Sequence, residues 1–282
     1  MIAGNCKEKI IGKLPQLTST EAKIANYVLE HYEAVLQYNV SVLAKKAGVS
    51  DASIVRFCRS VGYKGFQDFK MNAARDILPR AKQFDPILDQ DDDSEMICKK
   101  IFTSEINVLN RTLLGLDTSL INEIAEKIYN ARQLLIFGTG GSHIVAKDAQ
   151  HKFLKIGIKA QAYDDIDLQM MASSLLTPED LAICISFSGS NYLSIECMKN
   201  AKDRGAYCVG IISQGKSPMS KLVDVTIYSA YDETLFQSES VSTRIAQLAI
   251  IDAIVSNVAF KDYDASYNAI QSTRDATARN KY

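Results

Sequence analysis

Apolar residues recur three or four positions apart along the first 80 residues, a spacing that predicts amphipathic helices. In LTSTEAKIANYVLEHY, Thr18 and Glu21 stand three positions apart and form a predicted capping box. Ile24, Val28 and Tyr32 then follow at helical spacing. The first quarter of the chain is therefore predicted to be all helical.

Two such patterns, separated by a glycine, occupy residues 40–60, VSVLAKKAGVSDASIVRFCRS. Gly48 ends the first helix, where a left-handed backbone is needed, and Ser50 caps the second. Ala44 is the small residue expected where two helices nearly touch. The positions predicted to face the core or the turn are Leu43, Ala47, Val49, Ile54, Phe57 and Val61. This order predicts a helix-turn-helix motif, with a plain helical hairpin as the alternative.

A break follows at residues 79–95, which contain two prolines and the acidic run Asp91–Asp93. This composition is typical of a linker that ends in a capped helix start. Apolar spacing then predicts helices over about 95–115 and 118–130.

From residue 131 the period changes, and short apolar runs alternate with helical patterns. The predicted strands are residues 134–137, 159–163, 181–186, 206–213 and 225–229. Strands that alternate with helices predict an α/β domain with a parallel sheet flanked by helices. We therefore predict three parts: a helix-turn-helix DNA-binding domain in residues 1–80, connecting segments in 81–130, and a ligand-binding α/β domain in 131–282.

Composition limits the class of protein. The chain has 282 residues, of which 47% are hydrophobic and 23% charged, values typical of a soluble globular protein. No apolar run reaches the roughly 18 residues that span a membrane, and no signal peptide is evident at the start. Six cysteines without a CxxC pair, and three histidines, predict a reduced cytoplasmic protein with no metal site.

Charge separates the two ends of the chain. Residues 1–80 hold 12 Lys and Arg against 7 Asp and Glu, whereas the remainder hold 20 against 26. A positive first part suggests a nucleic-acid partner. The outward face of the second motif helix would then enter the major groove, with Arg56 as the best candidate for a guanine contact and the lysines on phosphates. The residues assigned to DNA are Ser50, Asp51, Ala52, Ser53, Arg56, Arg59, Lys45, Lys46 and Lys64, with Gln67 and Lys70 as further phosphate contacts.

Two loops rich in glycine and serine follow predicted strands and precede predicted helices: GTGGS at 138–142 and SFSGSN at 186–191. Backbone amides and a helix N-terminus favour a compact anion such as phosphate, and the serine hydroxyls add donors. The alternative is a dinucleotide site, since Gly138 and Gly140 begin a GxGxxG pattern and Asp164 or Asp165 stands where a ribose contact would be. His143 replaces the third glycine, and a serine-rich second loop has no role in that alternative.

Residues 133–260 resemble a SIS (sugar isomerase) domain, through IFGTGGSHIVAKDAQHKFLKIG, ISFSGSNYLSIECMKNAKDRGAYCVGII and RIAQLAIIDAI. With the helix-turn-helix stretch before it, nearly the whole chain resembles the RpiR family of bacterial transcription regulators. The resemblance implies a protein that binds operator DNA, takes a phosphorylated sugar or sugar acid as effector, and works as a homodimer or homotetramer.

The resemblance also assigns residues to the effector. It places the phosphate on Ser142, Ser186, Ser188 and Asn191, where Asn191 departs from the threonine common in the family. His143 and Glu239 are candidate sugar contacts, Glu239 because SIS enzymes place an acid–base group in that region. The loop residues that complete the predicted phosphate site are Gly140, Gly141, Gly189 and Ser190.

Enzymatic activity is the competing prediction. An isomerase needs a base and a ring-opening group, and the obvious candidates, His143, His151 and Glu239, have no visible partner in the sequence. We therefore expect a non-catalytic regulator without a cofactor, whose paired recognition helices meet a palindromic operator. A SIS-type isomerase or aminosugar-processing enzyme, and a nucleotide-binding protein, remain the alternatives.

Overall fold

The computed structural model describes residues 5–76, 87–213, 215–231 and 241–278. Its described residues form two compact units, one ending at Ser104 and the other beginning at Glu105. The boundary between the units lies within one long helix. The domain limits predicted from the sequence stay predictions.

The first unit is helical, as predicted. Its helices up to residue 76 are α1 (Cys6–Lys13), α2 (Ser19–Glu30), α3 (Tyr32–Val35), α4 (Val40–Ala47), α5 (Asp51–Ser60) and α6 (Phe66–Arg75). The capping box predicted at Thr18 and Glu21 is present at the start of α2.

Helices α4 and α5 form the predicted helix-turn-helix. Asn39 caps α4 by accepting a hydrogen bond from the Val42 amide at 2.9 Å. Gly48 has φ +65°, which lets the chain leave α4 and brings the Val49 amide to 2.9 Å from Ala44 O. The Ser50 hydroxyl then caps α5. Local sequence therefore determines this turn.

One hydrophobic core holds the helices of the first unit together. Phe57 of α5 and Phe69 of α6 are fully buried and meet edge to face, with ring centroids 6.2 Å apart. Leu43 of α4 and Ile54 of α5 are buried in the same cluster. Burial of such side chains, each worth about 1.5–3 kcal/mol, fixes the angle at which α5 leaves the core.

The second unit alternates strands with helices. After α7 (Ser94–Gly115) and α8 (Thr118–Asn130), the strands are β1 (Leu134–Phe137), β2 (Ala160–Gln161), β3 (Leu181–Ser186), β4 (Tyr207–Ile212) and β5 (Val225–Tyr228). The remaining helices are α9 (Gly141–Lys155), α10 (Ile166–Ser174), α11 (Tyr192–Asp203), α12 (Pro218–Leu222), α13 (Val241–Ala259) and α14 (Tyr263–Ala278).

Strand β2 is shorter than the predicted 159–163. It pairs with β1 only through Ala160 and Gln161. The amide of Ala162 instead donates to the side chain of Gln150 in α9, at 2.8 Å. The side chain of Gln150 thus takes the place of the next backbone hydrogen bond between β2 and β1.

All strand pairs are parallel, and the order across the sheet is β2-β1-β3-β4-β5. Alternate residues of β3 face opposite sides: Ile183 packs with α8, α9 and α13, whereas Cys184 packs with α11. The expected fold, an all-helical helix-turn-helix domain followed by a parallel α/β domain, is therefore confirmed.

The strand order reverses its direction at β1, which lies between β2 and β3. Such a reversal opens a crevice between the carboxyl ends of β1 and β3, and open α/β sheets bind ligands in a crevice of this kind. The GTGGS loop follows β1 and the SFSGSN loop follows β3. Both candidate loops therefore flank the same crevice.

Within the described residues, no single helix has the length and apolar composition to cross a membrane. One pair of helices, Thr243–Ala259 and Tyr263–Ala278, bent by 114° at the break between them, meets the two criteria jointly.

Candidate functional site

The loop between β3 and α11 points serine hydroxyls at its own backbone. Ser186 is 5% exposed, and its Oγ accepts a hydrogen bond from the Gly189 amide at 3.0 Å. Ser188 Oγ accepts from the Ser190 amide at 3.2 Å, and Ser190 Oγ donates to Ser188 O. Because the oxygens of Ser186 and Ser188 act as acceptors here, their O–H groups remain to donate to an anion.

Gly189 is required by the geometry of this loop. Its φ is +60°, a left-handed conformation that disfavours other residues, and a Cβ there would lie 2.2 Å from Ser217 Oγ. Ser217 is fully buried at the start of α12, and the amide of Met219 donates to Gly189 O at 3.0 Å. The loop is thus packed against α12 without space for a side chain.

Asn191 is the N-cap of α11. Its Oδ1 accepts a hydrogen bond from the Ser194 amide at 3.0 Å. Asparagine and threonine are both favoured N-cap residues, so the departure from the family pattern keeps the cap. The side-chain Nδ2 of Asn191 is left to donate outward.

A buried polar network lies beneath the same loop and was not predicted from the sequence. Gln247 of α13 is 1% exposed, and its Nε2 lies 3.2 Å from Ser213 Oγ and 3.5 Å from Ser186 O. Ser213 Oγ in turn lies 2.6 Å from Ser229 Oγ. The network ties α13 to the carboxyl ends of β3 and β4, and its only sequence signal is a polar residue within an apolar helix.

The loop between β1 and α9 is built differently. Gly140 is the N-cap of α9 with φ +56°, so no side chain caps the helix. The turn before it is tight, since a Cβ at Gly138 would lie 2.9 Å from Ser142 O. Gly141 is exposed and Ser142 is half-buried at the first turn of α9. Backbone groups, with the side chain of Ser142, therefore form this side of the crevice.

Gln169 of α10 holds the first loop from below. It is 2% exposed, and its Nε2 donates to Gly138 O at 3.1 Å and to Tyr163 O at 2.9 Å. Its Oε1 is buried and has no hydrogen-bond partner within the described part of the chain. A buried acceptor without a donor lowers the stability of the folded state. The two hydrogen bonds that Nε2 donates are therefore what holds this amide in place.

His143 and Asp164 form a pair beside the first loop. His143 Nε2 lies 2.5 Å from Asp164 Oδ1, and Lys147 Nζ lies 3.5 Å from the same oxygen. The hydrogen bond from His143, with the charge of Lys147, holds the pKa of Asp164 below its usual value. Asp164, one of the two carboxylates that the dinucleotide alternative offered for a ribose, is thus already paired.

Glu239, the other candidate sugar contact, lies outside the described residues. Over the ranges that the structure covers, no group of three or more His, Cys, Asp and Glu side chains could hold a metal ion.

The predicted DNA-contacting residues do not all lie on one exposed face. Ala52, Arg56 and Arg59 of α5 are exposed, and Asp51 is half-buried and accepts from Ser41 Oγ at 2.6 Å. Ser53 was expected to point outward, but it is only 7% exposed. Its hydroxyl is turned back to the start of the helix, where it lies 2.9 Å from the Oγ of the N-cap residue, Ser50. Ser50 itself is exposed.

Arg56 also bonds within its own helix, because its Nη2 donates to Ser53 Oγ at 3.0 Å. Arg56 is nonetheless exposed, and a base contact would exchange this single hydrogen bond to a hydroxyl for two hydrogen bonds to a guanine.

The lysines differ more sharply. Lys45, Lys46 and Lys64 are exposed, as phosphate contacts need to be. Lys70 is 5% exposed and donates to Tyr38 O at 2.8 Å, and burial lowers its pKa to about 8. The expectation that Lys70 contacts phosphate is therefore wrong: it anchors the chain before α4.

Sequence comparisons agree with this geometry. The model of "Helix-turn-helix domain, rpiR family" matches residues 4–79, and that of "SIS domain" matches residues 127–257. An uncharacterized HTH-type transcriptional regulator of Caldanaerobacter subterraneus is 33% identical over 264 residues, which cover 94% of each chain. HTH-type transcriptional regulator HexR of Pseudomonas aeruginosa is 29% identical over 91% of this chain and 90% of its own.

A solved structure resembles the whole chain. The Vibrio vulnificus NanR protein complexed with ManNAc-6P covers 98% of both chains at 25% identity, with a TM-score of 0.79. The sequence relatives are named HTH-type transcriptional regulators, which confirms the prediction of a regulator rather than an isomerase. The chain thus belongs to the RpiR family of HTH-type transcriptional regulators, with an N-terminal helix-turn-helix and a C-terminal SIS domain.

Proposed function

We propose that a phosphorylated sugar or sugar acid binds the SIS domain between the GTGGS and SFSGSN loops and changes the affinity of the regulator for operator DNA. The observation that carries this proposal is the place of the two loops on either side of the sheet's switch point. Each loop leads into the N-terminus of a helix of 12 or more residues, α9 and α11. Two helix ends of this kind attract one compact anion.

The serine hydroxyls complete the phosphate site. Ser186 and Ser188 accept from backbone amides and keep their O–H groups for the ligand, and Asn191 keeps its Nδ2. Ser142 adds a hydroxyl from the opposite loop. The phosphorylated sugar bound to NanR supports a ligand of this class. The residues around His143 would determine which sugar this chain recognises.

The proposed ligand acts without being converted. Two observations support a ligand that is bound and not converted: the sequence relatives are named transcriptional regulators, and His143, a candidate base, is hydrogen-bonded to Asp164. A regulator requires only that the ligand prefer one arrangement of the protein over another. Coupling of about 1–3 kcal/mol between effector and operator is typical of such proteins.

On the DNA side, we assign base reading to the exposed face of α5 around Arg56, and phosphate contacts to Lys45, Lys46 and Lys64. A cytoplasmic homodimer or homotetramer would present paired α5 helices to the two halves of a palindromic operator. The net positive charge of the first 80 residues favours this partner.

Thermal unfolding tests the effector half of the proposal. Melting is followed with a panel of sugars, each with and without its phosphate, ManNAc-6P included. Ligand that binds only the folded state raises Tm. We expect one phosphosugar to raise Tm, its free sugar to have no effect, and Ser188→Ala to abolish the rise. Ser174→Ala is the matched control, since this half-buried hydroxyl donates to Met171 O at the far end of α10. A protein that responds to no phosphosugar contradicts the proposal.

Selection of binding sites from random DNA, followed by titration of single-base variants, tests the DNA half. Arg56→Ala should relax discrimination at one base pair, by about 1–3 kcal/mol, while Lys64→Ala should weaken all sequences alike. Uniform weakening by Arg56→Ala would remove its base-reading role.

A further inference from the structure

Arg244 is a charged residue beside the proposed phosphate site that sequence patterns did not select. It lies in the first turns of α13, three residues before Gln247, which reaches Ser213 and Ser186 O beneath the second loop. The side chain of Arg244 crosses to the first loop. A Cβ added to Gly141 would lie 3.6 Å from its Cδ and 3.9 Å from both Nε and Nη1.

Its electrostatic surroundings are unusual. Gly141 is the first residue of α9, and the N-terminus of a helix carries a partial positive charge. A guanidinium beside it is therefore repelled rather than attracted. Among the residues that the structure describes, no carboxylate forms an ion pair with Arg244 to offset this repulsion.

Another arginine in the same domain shows what a structural role looks like. Arg132 bonds both oxygens of the buried Asp180, with Nε at 2.9 Å and Nη2 at 2.7 Å. That bidentate pair lies at the amino ends of the strands, far from both loops. Arg244 has the same planar set of donors but no such acceptor within the described chain.

We propose that Arg244 binds the phosphate of the effector, as a charged ligand held by α13 against the N-terminus of α9. The inference rests on the proposed phosphosugar function and adds a third element to the two loops. An anion placed over Gly141 would satisfy the helix end and the guanidinium together, and phosphate oxygens match the fork of N–H donors on arginine.

Phosphate affinity, measured from the rise of Tm against the concentration of inorganic phosphate, tests the inference. We expect Arg244→Gln to weaken phosphate binding about tenfold, a change of about 1.4 kcal/mol, and Arg244→Lys to restore part of it. Arg204→Gln is the matched control. It removes an equal charge from an exposed position at the C-terminal end of α11, just before the amino end of β4 and away from both loops.

A second readout separates binding from a merely structural effect. A phosphate monoester gains its second negative charge near pH 6, so the affinity for a simple monoester, glycerol phosphate, is compared at about pH 5 and about pH 7.5. The wild-type protein should gain more affinity from the second charge than Arg244→Gln does. If Arg244→Gln lowers the Tm measured without ligand but gains as much affinity from the second charge as the wild type does, Arg244 only supports the fold.

The outcomes distinguish this inference from the function on which it rests. If Ser188→Ala abolishes phosphate binding while Arg244→Gln binds as wild type, the inference is wrong and the proposed function stands. If the wild-type protein gains stability neither from inorganic phosphate nor from any phosphosugar, the proposed function fails and the role of Arg244 fails with it.

Discussion

The loop after β1 and the loop after β3 occupy equivalent places on either side of the crevice, but different contacts hold them. The second loop is braced by its own hydroxyls, by the Asn191 cap and by buried Ser217. The first loop has no side-chain cap at Gly140 and is anchored through a single amide side chain, that of Gln169.

This difference shows how one site can divide its tasks. The second loop is preorganised by neutral hydrogen bonds, so its donors need little rearrangement to meet an anion. The first loop presents bare backbone at a helix N-terminus, and charged groups come to it from other elements, Arg244 from α13 and Asp164 from the segment after β2. Substitutions should therefore damage the second loop through packing and the first through electrostatics.

The largest effect is expected from Gly189→Ala. The new Cβ would meet Ser217 Oγ at 2.2 Å in a backbone conformation that alanine disfavours, so the loop or α12 must move. We expect a loss of about 3 kcal/mol in the free energy of unfolding, measured in urea, and loss of the phosphosugar response.

Gly140→Ala is the matched control in the first loop. Gly140 has a similar φ of +56°, but nothing lies within 4 Å of the added Cβ, so only the backbone strain of about 2 kcal/mol applies. Equal losses for the two variants would show that the second loop is not the more tightly packed of the two.

The next effect concerns the two buried glutamines. Gln247→Leu removes the donor to Ser213 and Ser186 O in a buried site, and should cost about 1–3 kcal/mol in urea unfolding. Gln169→Leu also removes two donor bonds, but it eliminates the buried Oε1 that has no partner in the described structure.

The loss in Gln169→Leu should therefore be the smaller of the two. A larger loss in Gln169→Leu would mean that the first loop depends on its amide anchor more than the second depends on its network.

Local chemistry explains which features were predictable from the sequence. Gly48 and Ser50 form hydrogen bonds with residues three or four positions away, so the turn between α4 and α5 could be predicted from a short stretch of sequence. The serines of the second loop also stood out, because a buried strand that ends in hydroxyls is unusual. The carboxyl ends of parallel strands then had to share an edge.

Contacts between distant parts of the chain were not predictable in this way. Ser217 against Gly189, and Arg244 against Gly141, depend on how α12 and α13 pack on the sheet. Helical spacing places Ser53 and Lys70 on a face but does not reveal what covers them, and both are buried. Strand β2 was overpredicted for the same reason, since Gln150 of a neighbouring helix takes its next amide.

The smallest effect is expected from Asp164→Asn, which removes the charge opposite His143. The Asp164 side chain is 76% exposed, so water screens the pair and the free energy of unfolding should change within experimental error at neutral pH. Because the pKa of Asp164 is lowered in the folded state, any stabilisation is present above its ordinary pKa and is lost as pH falls through the lowered value. The wild-type and Asp164→Asn unfolding curves should therefore converge in acid. If Asp164→Asn is much less stable at neutral pH but still responds fully to phosphosugar, the His143–Asp164 pair stabilises the first loop and does not contact the ligand. The two loops would then differ in packing alone.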